Sequence, residues 1–232
     1  MTGAESVLEI GCGTSTLSRD LYLHVRRAGN TSMRFLATDV SPVGISLCRR
    51  RDAELIDSTE RFSYSVFNVA EHQTEYIRKF DIILDKGCLD TFLFRSKNRG
   101  TDQSYSKLLR NVLDNVHSIL TSHGKYLVLS PRPKVKCIRD FIGFSSVTRC
   151  RLDLTQVNAG ELQSDRKKEE SLFLYVCKVN ADYNPAECQD PFGQLTSEPQ
   201  DSDFCDKCYS SFHDFRNGEP LGLKGKTFWY RQ

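Results

Sequence analysis

The sequence VLEIGCGTSTL, residues 7–17, places a glycine–cysteine–glycine triplet directly after an apolar run. Glycine weakens the interior of a strand or helix, so such a triplet indicates a backbone conformation that other residues avoid. Residues 6–11 predict a short apolar strand, and residues 14–28 carry apolar side chains at helical spacing. The stretch is therefore predicted to fold as strand, tight turn and helix.

Strand-like and helix-like segments alternate along the chain as far as residue 179. Apolar runs predict further strands at 34–40, 61–69, 80–87, 124–131, 147–154 and 171–179. Helical spacing predicts helices at 43–51 and 105–120. This alternation predicts a Rossmann-like α/β fold, with a doubly wound, mostly parallel seven-stranded sheet. Because only a polar connection separates the last two strands, they are predicted to form an antiparallel hairpin.

The composition changes after Val179. Residues 180–232 hold four of the seven prolines, with nine acidic and five basic residues, and show little periodicity. We therefore predict a domain at 1–179, followed at 180–232 by an irregular acidic tail or a small cysteine-bearing module.

The bulk composition narrows the class of protein. A hydrophobic fraction of 39% and a charged fraction of 27% are typical of a soluble globular chain. The net charge of +2 argues against a nucleic-acid partner, and no apolar run is long enough to span a membrane. Scattered cysteines and the lack of a signal peptide favour a reducing, cytoplasmic setting. The arginine runs 26–27 and 49–51 are expected on solvated helix faces.

The tail contains a possible zinc ligand set. Its candidate ligands are Cys188, Cys205, Cys208 and His213. One Cys-x2-Cys pair without a second is a weak zinc signature, and the alternative is a tail with free thiols. No metal site is predicted.

The glycine turn has acidic neighbours that indicate a ligand. The dinucleotide fingerprint needs a third glycine where Thr16 stands, and no P-loop lysine follows. Glu9 precedes the turn, while Asp39 ends the second strand, where an acid can accept the hydroxyls of a ribose. Asp39 could instead cap the next helix, but Ser41, followed by Pro42, is the better cap. Two acids favour a positively charged nucleoside, and S-adenosylmethionine fits that description.

Three motifs, EIGCGTSTLS, TDVS and LDKGCLD, together resemble those of the class I, seven-strand methyltransferases that use S-adenosylmethionine. The resemblance covers residues 6–179 and is greatest to the branch with a DKGxxD signature. That branch contains the elongation-factor lysine and citrate synthase lysine methyltransferases. The resemblance implies a methyltransferase that modifies lysine on a protein. The alternatives are a small-molecule methyltransferase and an inactive cofactor-binding protein.

The resemblance also implies roles for individual residues. The implied cofactor-binding residues are Glu9, Gly11, Cys12, Gly13, Asp39, Asn68 and Asp85, and the implied catalytic residues are Asp85, Lys86 and Asp90. Glu9 and the glycines would line the methionine part, Asp39 the ribose and Asn68 the adenine. Asp85 would lie under the transferred methyl group, with Lys86 and Asp90 beside it.

Each of these residues also has a structural alternative. Asp85 and Asp90 could form a turn and a helix cap, Asn68 could simply end a strand, and Lys86 could be solvated. Phe92 and Phe94, in the predicted loop after Asp90, could line a substrate pocket or belong to the core.

Members of this branch carry a helical segment before the first strand that helps to cover the cofactor. Residues 1–5 alone precede the first predicted strand here. We therefore expect an amino-terminal cover to be missing, and a mitochondrial location is the alternative if an amino-terminal segment is missing.

Overall fold

A computed structural model describes residues 5–57, 59–72, 74–97, 103–152 and 172–187. Seven strands form one sheet: β1 Ser6–Ile10, β2 Arg34–Asp39, β3 Phe62–Val66, β4 Phe80–Lys86, β5 Leu120–Ser130, β6 Phe144–Leu152 and β7 Leu172–Val179. The helices in the described ranges are α1 Leu17–Arg27, α2 Pro42–Arg51, α3 Ala53–Asp57, α4 Cys88–Lys97, α5 Gln103–Ile119 and α6 Lys136–Asp140, and a 3-10 turn lies at Thr74–Tyr76.

The topology confirms the predicted Rossmann-like sheet. The strand order is β3-β2-β1-β4-β5-β7-β6, and the first five of these strands are parallel. Strand β7 runs antiparallel to both β5 and β6, as the predicted hairpin requires. Because the strand order reverses between β1 and β4, the carboxyl ends of these two strands mark the crevice where ligands bind in such sheets.

Side chains alternate between two buried clusters along β1. Leu8 and Ile10 pack into the larger cluster, which includes Val112 and Leu113 of α5. Val7 belongs to the smaller cluster, with residues of α1, α2, β2 and β3. Glu9 lies two residues after Val7, so its side chain points to the same face of the sheet as Val7. A carboxylate therefore lies in an otherwise apolar face beneath α1 and α2.

The helix α4 corrects one prediction. Phe92 and Phe94 were expected in a loop after Asp90, and both lie in this helix. The turn before the helix has Gly87 at φ +82°, and the Asp85 carboxylate accepts the backbone N–H of Cys88, which satisfies a donor at the helix start. Phe92 packs against the larger cluster, while the side chain of Phe94 lies outside the described residues.

The chain remains packed on the sheet beyond residue 179. Tyr183 is buried, stacks edge-on against His117 and Phe141, and donates a hydrogen bond of 2.7 Å to Asp114. His117 bonds the carbonyl of Asn180 at 2.9 Å. The residues following β7 therefore anchor to α5.

Within the described ranges, no helix has the length and apolar character to cross a membrane. The possible zinc ligands Cys188, Cys205, Cys208 and His213 lie outside the described residues, so the interpretation of the tail stays a prediction.

Candidate active site

The residues predicted to bind the cofactor lie at the carboxyl edge of β1, β2 and β4, except for Asn68, which follows the neighbouring strand β3. Ile10, the last residue of β1, pairs with Asp85 of β4, and Glu9 pairs with Ala37 of β2. The segment that follows β1, residues 11–16, is called the motif loop below. It lies at the point where the strand order reverses, beside Asp39 at the end of β2.

Both glycines of the motif loop adopt left-handed backbone conformations. Gly11 has φ +62° and Gly13 has φ +54°. A Cβ on Gly11 would stand 2.7 Å from Cβ and Sγ of Cys88, so this glycine lets the loop pack against the start of α4. A Cβ on Gly13 would meet nothing within 4 Å. The loop is therefore packed at Gly11 and open at Gly13.

Asp39 ties the motif loop to β2. Its Oδ2 accepts the backbone N–H of Gly13 at 2.8 Å, and its Oδ1 accepts that of Ser41 at 2.8 Å. The predicted cap of α2 is confirmed, because the Ser41 hydroxyl accepts the N–H of Gly44 at 3.1 Å with Pro42 in the first turn. Each carboxylate oxygen of Asp39 has further acceptor capacity, which a diol can use.

Glu9 is the most unusual group at this edge. The residue is 1% exposed, and neither carboxylate oxygen has a hydrogen-bond partner among the described residues. The hydroxyl of buried Ser18 has no partner there either. Burial raises the pKa of Glu9. The hydroxyl and backbone N–H of Ser18, which lie near the carboxylate but outside hydrogen-bonding geometry, and the Lys86 ammonium counteract that rise. A buried acceptor without a donor is costly, so this carboxylate calls for a ligand or ordered water.

Cys12 contributes to the shape of the loop. Its side chain is buried in the smaller cluster, and its backbone N–H donates to the carbonyl of Thr38 at 2.8 Å. Its own carbonyl accepts the N–H of Ser15 at 3.0 Å. The thiol therefore faces the core beneath the loop.

Asn68 follows β3 and organises its own turn. Its amide oxygen accepts the N–H of Ala70 at 3.1 Å, and its amide nitrogen donates to Glu71 at 2.8 Å. The oxygen has a second lone pair that can accept another donor.

Two exposed valines near Asp39 were not predicted from the sequence. Val40 is 63% exposed, and Val66, which pairs with Asp39, is 51% exposed.

Asp85 is held entirely by the protein. It is 1% exposed; Oδ1 accepts the N–H of Cys88 at 2.8 Å, and Oδ2 accepts the N–H of Leu89 at 3.0 Å and the hydroxyl of Tyr126 at 2.6 Å. Burial raises the pKa of Asp85 to about 7, although these hydrogen bonds oppose the rise. The carboxyl group caps α4 and joins it to β5.

Asp90 lies in the first turn of α4 and reaches across to the end of β5. Its Oδ1 accepts the Ser130 hydroxyl at 2.9 Å and Nε of Arg132 at 2.9 Å. Its Oδ2 is buried and has no hydrogen-bond partner among the described residues. The hydroxyl of Tyr175 donates to the carbonyl of Arg132 at 2.7 Å, which fixes this segment further.

Lys86 lies on the other face of the sheet from Asp85. Consecutive strand residues point to opposite faces, so Lys86 shares the face of Glu9, whose pKa its charge helps to lower. The structure thus groups Lys86 with Glu9 and separates it from the Asp85 carboxyl group.

Arg51 is exposed, as expected for the arginine run, but it also binds other parts of the chain. This side chain donates hydrogen bonds to the carbonyls of Thr14 and Ser15 in the motif loop. Sequence reasoning missed the contact because the run of three arginines has the composition of a solvated helix face.

Comparison with known proteins identifies a family that this chain matches. The family described as "Methyltransferase domain" matches residues 2–189. No curated protein matches the chain significantly in sequence.

Two solved structures share the fold. The CMeT domain of the citrinin polyketide synthase is 17% identical with a TM-score of 0.53, over 75% of this chain and 46% of that one. The DszA carbon methyltransferase is 12% identical with a TM-score of 0.52, over 76% of this chain and 47% of that one. The chain spans about half the length of these two proteins.

The family match covers most of the chain, including every strand and the motif loop. It confirms the prediction of a methyltransferase domain and supports S-adenosylmethionine as the cofactor. The chain belongs to the methyltransferase-domain family.

Proposed function

We propose that this chain transfers a methyl group from S-adenosylmethionine, bound at the motif loop, to a lysine side chain of a protein. The observation that carries the cofactor site is the buried Glu9 carboxylate, which has no hydrogen-bond partner among the described residues. When bound, S-adenosylmethionine supplies a methyl carbon activated by a sulfonium, together with an ammonium group. A cationic ligand of this kind suits a buried carboxylate beneath an open glycine loop.

The remaining parts of the cofactor have suitable partners along the same edge. Asp39 offers acceptor lone pairs to the two hydroxyls of a ribose. The exposed Val40 and Val66 offer apolar contact to a flat base, and the Asn68 oxygen can accept from its amino group. These groups lie in order from β1 to β3, which supports a nucleoside lying along the sheet edge.

The choice of lysine rests on the DKGxxD motif and on one atom of Asp90. The unpartnered, buried Oδ2 of Asp90 is an acceptor that can bind and orient an amine. A free lysine has a pKa of about 10.4, so roughly one in a thousand is neutral near pH 7.4. A carboxylate beside the amine raises its pKa further, so we assign Asp90 the role of positioning the amine rather than deprotonating it.

Asp85 is assigned a supporting role. All of its oxygens are engaged by the N–H groups of α4 and by Tyr126. It fixes the start of α4, and through it the position of Asp90. We therefore treat Asp85 as a positioning residue.

A second candidate, a small-molecule acceptor, is favoured by Arg132. Arg132, just after the end of β5, donates through Nε to Asp90 of α4. Its guanidinium therefore lies beside the carboxylate that is proposed to orient the amine. A cation at that position repels an ammonium and attracts a carboxylate or phosphate. An acceptor carrying an acidic group would satisfy it.

The test is methyl transfer from radiolabelled S-adenosylmethionine by the purified chain, using a dialysed protein extract and a separate small-molecule extract. We expect label in discrete protein bands, recovered as methyl-lysine after hydrolysis. Label in the small-molecule fraction alone contradicts the lysine proposal and supports the second candidate. Cofactor binding without transfer in either fraction indicates an inactive binding protein, and no binding overturns the whole proposal. Asp39→Ala serves as the matched variant with an impaired cofactor site.

A further inference from the structure

We infer that Arg51 is a positioning residue that holds the motif loop in its cofactor-binding shape. The inference rests on the proposed function, because it concerns the same cofactor loop. It starts from the carbonyl groups of the loop and from what binds them.

Three consecutive carbonyls of the motif loop are bound from the side of α2. The guanidinium of Arg51 donates through Nη1 to the Thr14 carbonyl at 2.7 Å and through Nη2 to the Ser15 carbonyl at 3.2 Å. The thiol of Cys48, one helical turn earlier, donates to the Gly13 carbonyl at 3.3 Å. Side chains at the end of α2 therefore bind the carbonyls of Gly13, Thr14 and Ser15 in the motif loop.

The direction of these carbonyls fixes the direction of the loop amides. In a trans peptide the carbonyl and the next N–H point in opposite directions. The N–H groups of Thr14 and Thr16 therefore point away from α2, and that of Ser15 donates to the Cys12 carbonyl. The N–H groups that precede a helix favour an electron-rich ligand group, such as a carboxylate. By binding the Ser15 carbonyl, Arg51 keeps the Thr16 amide turned away from α2, and Cys48 does the same for the Thr14 amide through the Gly13 carbonyl.

Arg51 is itself held in place by a buried carboxylate. Its Nη2 lies 2.8 Å from Oδ2 of Asp52, a residue that is 5% exposed. The Asp52 carboxylate also accepts Nη1 of Arg19 at 3.1 Å and the hydroxyl of Tyr64 at 2.7 Å. Burial alone raises the pKa of Asp52, but its hydrogen bonds with Arg51, Tyr64 and Arg19 lower it overall, so the carboxylate stays charged.

The geometry needs an arginine. The planar guanidinium of Arg51 serves two carbonyls and one carboxylate at once, which a single lysine ammonium on a flexible stem does less well. Arg50, the preceding residue, is exposed and carries the same charge. It offers a matched control for the loss of one positive charge from α2.

The experiment compares Arg51→Ala with Arg50→Ala and with Tyr183→Phe, which removes a buried hydrogen bond far from the loop. Calorimetry measures the affinity for S-adenosylmethionine, and transfer assays measure kcat at saturating cofactor. We expect Arg51→Ala to weaken cofactor binding about tenfold, since it removes hydrogen bonds from a charged donor, with a smaller change in kcat. Arg51→Lys should recover part of the affinity, and both control variants should bind as the wild type does.

The possible outcomes distinguish a failure of the positioning role of Arg51 from a failure of the proposed function. If the wild type binds and Arg51→Ala binds equally well, or if Tyr183→Phe loses as much affinity, the inference is overturned. If the wild type binds no cofactor, the proposed function fails. Hydrogen exchange in the free protein then still tests whether Arg51 holds the motif loop. The Ser15 amide, which donates to the Cys12 carbonyl, should then exchange faster in Arg51→Ala than in Tyr183→Phe, and equal rates contradict the inference.

Discussion

The two halves of the sheet's carboxyl edge differ in what their acidic groups bind. In the cofactor half, formed by β1, β2 and the motif loop, Glu9 is buried with no hydrogen-bond partner among the described residues. In the acceptor half, formed by β4, α4 and the end of β5, Asp85 has a full set of donors within the protein. Asp90 is intermediate, with one oxygen bound and one without a described partner.

This difference separates ligand binding from positioning. A buried carboxylate without donors gains free energy when a ligand supplies them, whereas one already satisfied gains little and serves to hold other parts in place. Changes in the cofactor half should therefore act mainly on cofactor affinity. Changes in the acceptor half should act mainly on stability and turnover.

Gly11 joins the two halves, and its replacement should have the largest effect on stability. A Cβ in Gly11→Ala would stand 2.7 Å from Cys88 of α4, at φ +62°. We expect a loss of about 3 kcal/mol in the free energy of unfolding, from strain and overpacking together. Gly13→Ala is the matched control with a similar φ and open space, and should lose about 1 kcal/mol. Urea unfolding measures both, and equal losses would show that the Cys88 contact is unimportant.

Asp85 should make the stability of the folded protein depend on pH in a distinctive way. Its pKa is raised to about 7 in the folded protein, from an ordinary value of 3.8, so between these pH values the folded state binds more protons than the unfolded state. Its contribution to stability is therefore greatest below about pH 4 and is lost as the pH rises through about 7.

The isosteric variant Asp85→Asn has no such titration. The unfolding free energy of the wild type relative to Asp85→Asn should fall by roughly 3 kcal/mol from pH 4 to pH 7. Denaturant titrations at several pH values measure the difference. A difference that is flat with pH would show that the buried carboxyl group ionises normally.

Asp39→Ala tests the cofactor half. The change removes the acceptor that ties Gly13 to β2 and that is proposed to bind the ribose. We expect cofactor affinity to fall roughly tenfold to a hundredfold, with a smaller change in kcat at saturating cofactor. Asp85→Asn should show the reverse pattern, with turnover reduced more than affinity. If the two patterns are exchanged, the proposed roles of the two halves are wrong.

Asn68→Ala should have the smallest effect. Its amide oxygen already accepts the N–H of Ala70, and a single neutral hydrogen bond to an adenine amino group is worth about 1 kcal/mol. Calorimetry should show cofactor affinity reduced about fivefold or less. A loss as large as that in Asp39→Ala would place Asn68 among the main cofactor contacts.

The sequence predicted the features that depend on neighbouring residues. The strands, the hairpin, the glycine turn and the Ser41 cap follow from short apolar runs, from glycine and proline, and from capping chemistry. Contacts between distant residues were not predictable in this way. Arg51 binds Thr14, which lies 37 residues away, and Asp90 binds Arg132, which lies 42 residues away.

The helix α4 shows a second limit. The sequence placed Phe92 and Phe94 in a loop after Asp90, whereas the structure has a helix over Cys88–Lys97. The helix begins because Gly87 turns the chain and Asp85 caps the first amides. Whether an aspartate serves as a cap or as a catalytic acid depends on its burial and on distant partners such as Tyr126, which the local sequence does not reveal.

The division between the two halves is tested most directly by titrating S-adenosylmethionine into the wild type, Asp39→Ala and Asp90→Asn in a calorimeter. We predict saturable binding of one cofactor per wild-type chain, clearly weakened binding by Asp39→Ala, and wild-type affinity for Asp90→Asn. The absence of binding by the wild type, or an equal loss in both variants, would contradict the assignment of the cofactor to the motif-loop half of the sheet.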